Sequence, residues 1–498
     1  MILNLKAVFG VMGALLFFLG IALLMPGIVG LIYSESVSWT FFVTAVGSMV
    51  VGGGLFRGFA SDRKDLKVRE GFAVVALAWL VLSIIGAIPF VLSGVLETYT
   101  DAFFETMSGF TTTGATILGG AGNPAIEDIP RSFLFWRSLA HWIGGMGIIV
   151  LTLAILPVLG VGGMQLFKAE VPGPSADKLT PRIRDTAKQL WIIYVGITVA
   201  QIVLLLPVMS VFDAVNHAFA TMATGGFSTR NGSVGDFGSA YVEWIITLFM
   251  ILAGVNFALH FRILRGEIGS VFRNTELKVY LSIVAVATVL LTISLWDSTA
   301  FLVQGEDGQR IASLGEAVRV AAFQASAIIT TTGFATADYE LWSALGIGVI
   351  FALFFVGGMA GSTGGGMKVV RHVLLFKNSF REIKKLIHPS AVIPIRLSGK
   401  VVSADVMRNV LSFAVLYLAL LVVGTIVLSF LGLDLLTGLG AAISSVGNVG
   451  PAFGTLGPAE NYAHLPALAK WVLALMMMAG RLELFTVLIL FFPTFWRR

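Results

Sequence analysis

From Gly71 to Leu96 the chain runs 26 residues without a charged side chain, and 189–212 and 409–433 behave alike. About 20 apolar residues in a helix cross the hydrocarbon of a bilayer, so each run is long enough to span. A soluble protein can bury one such helix, but not ten. Runs and their breaks predict spanning helices near 5–32, 37–59, 70–95, 131–160, 187–212, 240–265, 276–298, 341–373, 406–432 and 466–493. Composition agrees: 57% of residues are hydrophobic and 12% charged, against about 25% charged in ordinary globular domains. The first run, Val8 to Ser34, exceeds a secretory h-region and is followed at once by 37–56, so it reads as a retained hairpin. With no cysteine, disulfides, thiolate nucleophiles and Cys-based metal sites are excluded.

The net charge of +5 is unevenly distributed. With the N-terminus inside and each run crossing once, 26 of the 33 Lys and Arg and 10 of the 28 acids fall on the cytoplasmic side. That leaves +16 inside and −11 elsewhere, the positive-inside pattern, with both termini predicted cytoplasmic. The basic groups at 57–69, 168–188, 262–278 and 368–408 therefore express topology, and no nucleic-acid partner is expected. A negative outer face enriches cations at an outer mouth.

After the third, fifth, seventh and ninth spans comes a short amphipathic piece (98–110, 213–223, 315–329, 434–445), followed by a Thr/Ser/Gly cluster. The clusters contain Thr112-Thr113-Gly114, Thr224-Gly225-Gly226, Thr331-Thr332-Gly333 and Asn448-Val449-Gly450. Aligned on the last glycine they are spaced by 112, 107 and 117 residues. A second marker (Gly145, Gly254, Gly358, Gly480) follows 31, 28, 25 and 30 residues later, each expected inside the next span. Two markers in register four times make an internal repeat. The expected fold is an all-α polytopic membrane protein. Four pseudo-symmetric units of helix, pore helix, filter loop and second helix would surround one ion pathway. The units are expected at 70–165, 186–266, 275–375 (with a broken second helix) and 404–494, preceded by a two-helix unit at 1–60.

Non-helical backbone at membrane depth survives only when surrounded by protein or lining a water-filled cavity. Four such loops closing on an axis would supply carbonyls that replace the hydration shell of a K⁺ ion. The twelve residues just named are thus the candidate ion ligands. Glycine permits the positive φ that turns carbonyls to the axis, and the pore helices present their negative dipole ends. No ring of Asp or Glu occurs in the clusters. Close helix packing is the plainer use of glycine and suits Gly52, Gly53 and Gly54.

Six glycines in 357–366 break the eighth span and suggest a mobile loop in the inner half of the pathway. As a nucleotide-binding P-loop it fails, because Met367 separates the last glycine from Lys368 and no Ser or Thr follows the lysine. Arg481 and Glu483 lie inside the last span, where a charge implies function. Arg481 either meters cations beneath the filter or pairs with Glu483 or a nearby carbonyl. His141, His217, His260, His372 and His464 lack metal-ligand spacing and read as structural. Pro172, Pro174 and Pro181 mark an inner loop, and the acid pairs Glu127-Asp128 and Glu306-Asp307 read as solvated.

These residues resemble the TrkH/TrkG/KtrB superfamily of K⁺ transport proteins along essentially the whole chain. The most specific stretches are Met107 to Thr116, Ala223 to Thr229, Gly361 to Lys368 and Gly447 to Gly454. The separate unit at 1–60 is similar to the longer TrkH-like branch. The resemblance implies a gated, mainly passive K⁺ pathway in the cytoplasmic membrane of a prokaryote (the inner membrane in a Gram-negative cell). It implies a homodimer with one pore per subunit and a cytosolic nucleotide-binding regulatory ring (TrkA-like, RCK-type), with 371–400 as a docking area. It also implies that Gly114, Gly226, Gly333 and Gly450 are the filter glycines, that 357–368 is the gating loop, and that Arg481 is the arginine beneath the filter. Four glycines rather than a serine at the first position favour K⁺. Membrane lipid is an expected partner; no organic cofactor and no enzymatic activity are expected. Sodium-permeable or Na⁺/H⁺-coupled transport remains open, as does a proton-coupled small-solute carrier.

Overall fold

The computed structural model describes residues 4–59, 68–120, 123–150, 183–296, 299–300, 309–310 and 313–496. The basic residues at 63–67 and 168–182, Pro172, Pro174, Pro181, Glu306-Asp307 and the end of the fourth span (151–160) lie outside them.

The N-terminal pair, Leu5–Ile32 and Trp39–Gly58, packs backbone to backbone. A Cβ on Gly13 would stand 2.7 Å from Gly52 O, and one on Gly52 2.6 Å from Gly13 O, the close approach that small residues allow between membrane helices. Of the three consecutive glycines only Gly52 serves this contact; nothing lies within 4 Å of a Cβ on Gly54. The pair is tied to the body by Glu35, whose carboxylate accepts from the backbone N–H groups of Arg131 (2.5 Å) and Ser132 (3.1 Å). Those are unpaired donors at the start of the helix Arg131–Val150.

The fold is all-α, with two-residue β-ladders at Thr299–Ala300 with Gln309–Arg310 and at Arg396–Leu397 with Lys400–Val401. Each short amphipathic piece is a helix: Tyr99–Phe110, Val211–Met222, Leu314–Ile329 and Leu435–Gly447. The first three open on Thr98, Ser210 and Ser313, whose hydroxyls accept from the N–H of the acid three residues on (Asp101, Asp213, Glu316) at 3.1 to 3.2 Å. Each is a side-chain N-cap that satisfies one of the helix's free N–H groups. Asp434 caps the fourth, accepting from Leu436 N and Thr437 N at 3.0 Å.

Among the described residues six helices are long and apolar enough to cross a membrane, or seven if one pair bent by 99° counts as a single span. Ten spans were expected, the eighth of them broken, and the difference lies in the second helices of the repeats. The 240–265 span divides into Ala240–Ala253 and Phe257–Leu264. The 341–373 span divides into Ala344–Leu353 and Val369–Ile387, and the 466–493 span into Ala467–Arg481 and Leu484–Leu488.

The breaks in repeats two and three share one cause. The segment 354–368 turns inward, and its backbone groups find partners within itself (Gly357 N to Met367 O, 2.9 Å) and on the broken ends around it. Met359 N donates to Gly254 O (2.9 Å), and Phe257 N to Gly361 O (3.0 Å). Asn256 caps the resumed helix by accepting from Ala258 N at 2.8 Å. Repeat two opens its helix where repeat three inserts its loop, so irregular backbone at membrane depth is satisfied by protein. Hydropathy saw only an apolar stretch.

Candidate ion pathway

All four pore helices end in the same way. Thr112, Thr224, Thr331 and Asn448 have φ of 51, 55, 59 and 55°. Their N–H groups bond back to Gly109, Thr221, Ile328 and Ser445, and those of the following residues to Ser108, Ala220, Ala327 and Ser444. This is a Schellman termination with Thr or Asn in the left-handed place. A left-handed β-branched residue is a genuine outlier costing about 1–3 kcal/mol unless its surroundings enforce it. Two residues later Gly114, Gly226, Gly333 and Gly450 have φ of 82, 80, 74 and 102°. The residue between each pair has no positive φ, and this alternation turns successive carbonyls to one side of the chain. Asn448, the odd residue of the fourth cluster, keeps the common backbone. Its amide donates to Thr113 Oγ1 (3.0 Å) and Met477 O (2.9 Å).

The four glycines close a ring. A Cβ on Gly114 would run into the carbonyl oxygen of Gly225, one on Gly226 into that of Thr332, and one on Gly333 into that of Val449. A Cβ on Gly450 would stand 2.7 Å from Thr113 O. Each glycine thus faces the carbonyl of the next repeat, in the order one, two, three, four, one. All four line a single cavity of ≈ 80 Å³ that also meets Pro451, Glu460 and Tyr462. Behind the loops, threonine hydroxyls brace each other (Thr111 with Thr113 and Thr330 with Thr332, both at 2.8 Å). The buried pair Arg137–Glu105 (2.8 Å) ties Thr116 to Ser228 O across repeats one and two.

Beneath the ring lie the inserted loop and Arg481. Gly365 N donates to Thr331 Oγ1 at 2.6 Å, so loop and ring touch directly. Thr363 Oγ1 donates to Met222 O (2.9 Å) and Ala253 O (3.2 Å) of repeat two. Its carbonyl accepts from Arg481 of repeat four at 2.6 Å. Arg481 also donates to Gly144 O (3.0 Å) and Gly145 O (3.3 Å). Repeats two and four are opposite in the ring, so Thr363 of repeat three, bonded to both, bridges the bundle. Of the two expected partners Arg481 takes the carbonyls; Glu483 pairs with Arg371 instead, whose guanidinium lies 3.5 Å from the Phe413 ring centre.

The second marker needs a correction in repeat four. Gly480 lies against Val446 O as Gly144 lies against Phe110 O, and both follow their ring glycine by 30 residues. Arg481 therefore occupies the place of Gly145. Gly254 ends its helix and Gly358 lies in the loop rather than inside a helix.

Sequence reasoning missed Glu276. Its Oε1 accepts from Ala360 N (2.8 Å) and Val370 N (3.2 Å), holding both arms of the inserted loop. A charge near the end of the basic inner segment 262–278 looked like topology. The histidines serve structure: His217 bonds Asp213 O and Ser228 Oγ, His260 bonds Leu252 O, and His372 bonds Phe355 O. Among the described residues no three His, Asp or Glu form a metal-binding group.

The chain matches the TrkH family model, described as a cation transport protein, over residues 38–498. It is 39% identical to the Trk system potassium uptake protein TrkH of Escherichia coli K12, over 99% of this chain and 100% of that one. To TrkH of Halomonas elongata it is 38% identical, over the full length of both. The crystal structure of the potassium transporter TrkH from Vibrio parahaemolyticus superposes with a TM-score of 0.86 at 36% identity, covering 99% of this chain and 100% of that one. The ring of four glycine loops, its inserted loop and the match along the whole sequence agree: this chain belongs to the TrkH family of cation transport proteins.

Proposed function

We propose that this chain is the membrane subunit of a Trk-type K⁺ uptake system, passing K⁺ through the glycine ring in a gated and mainly passive way. The observation that carries this is the ring itself: four left-handed glycines around one cavity, each abutting the next repeat's carbonyl. Neutral carbonyls at this spacing replace a monovalent cation's hydration shell. The twelve residues Thr112, Thr113, Gly114, Thr224, Gly225, Gly226, Thr331, Thr332, Gly333, Asn448, Val449 and Gly450 form the filter in this reading. K⁺ is the substrate rather than a resident cofactor.

The gate is the 354–368 loop with Arg481. Their mutual bond beneath the ring puts a fixed positive charge and packed backbone in the ion's way. Opening requires the Arg481–Thr363 contact to break and the Glu276 clamp to loosen or move with the loop.

The inner side is the basic one, with both termini there. The helix Val369–Ile387 presents Phe376, Phe380, Ile383 and Ile387 exposed on one stripe beside Lys377, Arg381 and Lys384. We assign that surface to a second copy of the chain and to a cytosolic regulatory ring, the assembly the family resemblance implies.

The test is ion flux into proteoliposomes of purified protein, comparing K⁺, Na⁺, Rb⁺ and Li⁺ with and without a proton gradient. The reading expects K⁺ and Rb⁺ flux well above Na⁺ and Li⁺, set by the K⁺ electrochemical gradient alone. Flux that requires the proton gradient, or equal K⁺ and Na⁺ flux, would overturn it.

A further inference from the structure

The fourth quadrant of the ring differs in the bonding of one carbonyl. Gly450 O accepts from Tyr462 Oη at 2.7 Å and from Ser444 Oγ at 2.9 Å. Both donors are buried. A carbonyl oxygen has two lone pairs, and here both are engaged. Among the described residues no donor bonds the carbonyls of Gly114, Gly226 or Gly333.

The donors are held firmly. The Tyr462 ring packs on Phe104 with centres 5.5 Å apart, and its N–H donates to Thr116 O at 2.9 Å. The residue after Gly450, Pro451, has no N–H, and its Cδ would meet a Cβ on Gly333 at 2.8 Å. Ala452 O is taken by Tyr339 Oη at 2.5 Å. Repeat one offers a comparison. Ser108 stands six residues before Gly114, as Ser444 stands before Gly450, yet its hydroxyl has no partner among the described residues. A serine at that place does not by itself capture the carbonyl; the tyrosine marks the fourth repeat.

We propose that Tyr462 and Ser444 withdraw the Gly450 carbonyl from ion coordination, leaving three carbonyls at the outermost ring. On this view the two hydroxyls are specificity-determining groups, and water completes the outer shell of the ion. The inference rests on the K⁺-pathway reading above. The coordination lost is that of the ring facing the outer cavity, so the effect falls on loading of the ion from outside.

The experiment compares the full-length protein, Tyr462→Phe, and Tyr462→Phe with Ser444→Ala, each purified, checked for monodispersity and reconstituted. Tyr462→Phe keeps the ring packed on Phe104 and removes only the hydroxyl. A freed carbonyl adds a fourth ligand, so the apparent KM for external K⁺ should fall by about 3- to 10-fold in the double variant, from the loss of two competing hydrogen bonds. The K⁺/Na⁺ flux ratio should rise, because selectivity grows with the number of coordinating carbonyls. Tyr462→Phe alone should lie between. An unchanged KM and ratio in folded, conducting protein would overturn the proposal. So would a falling K⁺/Na⁺ ratio, which would make Tyr462 a strut. Failure of the underlying reading shows separately, as absent K⁺ flux in the unsubstituted protein.

Discussion

Replacing Gly114 by serine tests the ring at its tightest kind of contact. At φ 82° a side chain costs about 1–2 kcal/mol in backbone conformation alone. Its Cβ would also overlap the carbonyl oxygen of Gly225 in the next repeat. Restoring an ordinary C···O separation of about 3.3–3.6 Å requires that carbonyl to move by more than about 1 Å. Gly225 is itself pinned by the termination bond to Ala220 O (2.8 Å) and by His141, which its own Cβ would strike. The carbonyl therefore yields by rotating off its direction rather than by sliding back. If the ring loses about 1–2 kcal/mol of its preference for K⁺, the K⁺/Na⁺ flux ratio falls by about 5- to 30-fold. The assay is paired K⁺ and Na⁺ flux in proteoliposomes, with thermal stability measured on the same preparations. Gly450→Ser is the internal control, since its Cβ would lie 2.7 Å from Thr113 O, a looser fit than at the other three. It should cost less selectivity than Gly114→Ser. An unchanged ratio in folded Gly114→Ser would refute the reasoning, as would a larger loss for Gly450→Ser.

Arg481→Ala removes donors to Thr363, Gly144 and Gly145 and should raise K⁺ flux several-fold; Thr363→Val, which keeps the arginine, should raise it less. A fall in flux with intact folding would refute the barrier role. Glu276→Gln replaces the clamping carboxylate by a weaker acceptor and should raise the open fraction with the K⁺/Na⁺ ratio unchanged; a selectivity change without a change in opening would move the loop out of the gate. At the outer mouth, burial and then the neighbouring Asp338 and Glu460 push the Glu340 carboxyl up to about 7, against a pull from Gly454 N–H. Its negative charge is present above that pH and lost below it. The apparent KM for external K⁺ should therefore rise as outside pH falls from 8 to 6, about, and Glu340→Gln should flatten that dependence.

The legible part of this fold follows from composition and period. Uncharged runs locate the spanning segments, and Thr98-x-x-Asp101, Ser210-x-x-Asp213 and Ser313-x-x-Glu316 mark where three pore helices begin. Aligning the clusters brought out the glycines because positive φ at a crowded axis restricts residue choice. What was illegible depends on partners far along the chain. The break at Gly254–Asn256 exists to receive Met359 and Gly361, about a hundred residues later, and hydropathy carries no trace of it. The second left-handed place was hidden because threonine is a poor advertisement for positive φ; only its fourfold recurrence in space reveals it. The exchange of partners, Arg371 with Glu483 and Arg481 with carbonyls, is likewise a property of the closed bundle. Arg481 closes one helix and Glu483 precedes the next, at φ 61°, so the two side chains leave the chain on either side of a break.

The placement of Arg481 follows from how the repeats close on one another. At Gly145 a Cβ would meet Ala223 of the next pore helix at 2.7 to 2.8 Å, and at Gly254 it would meet Thr330 Cγ2 at 2.9 Å. In these two repeats the second helix rests on the next repeat's pore-helix end, and only glycine fits. Repeat four is followed in the ring by repeat one, whose first helix is also packed by the N-terminal pair. There the same place carries Arg481, reaching the Gly144 and Gly145 carbonyls of repeat one. The glycine requirement seen at Gly145 and Gly254 thus lapses at the seam between repeats four and one, and the side chain admitted there reaches the inserted loop of repeat three. In the proposed mechanism gate and seam are then one device. Arg481→Gly, which restores the residue of the other repeats, should open the pathway while leaving the pore-helix ends in place. Its K⁺/Na⁺ ratio should match that of the unsubstituted protein at higher flux. A collapse of selectivity in Arg481→Gly would show instead that the seam, and not only the gate, depends on the arginine.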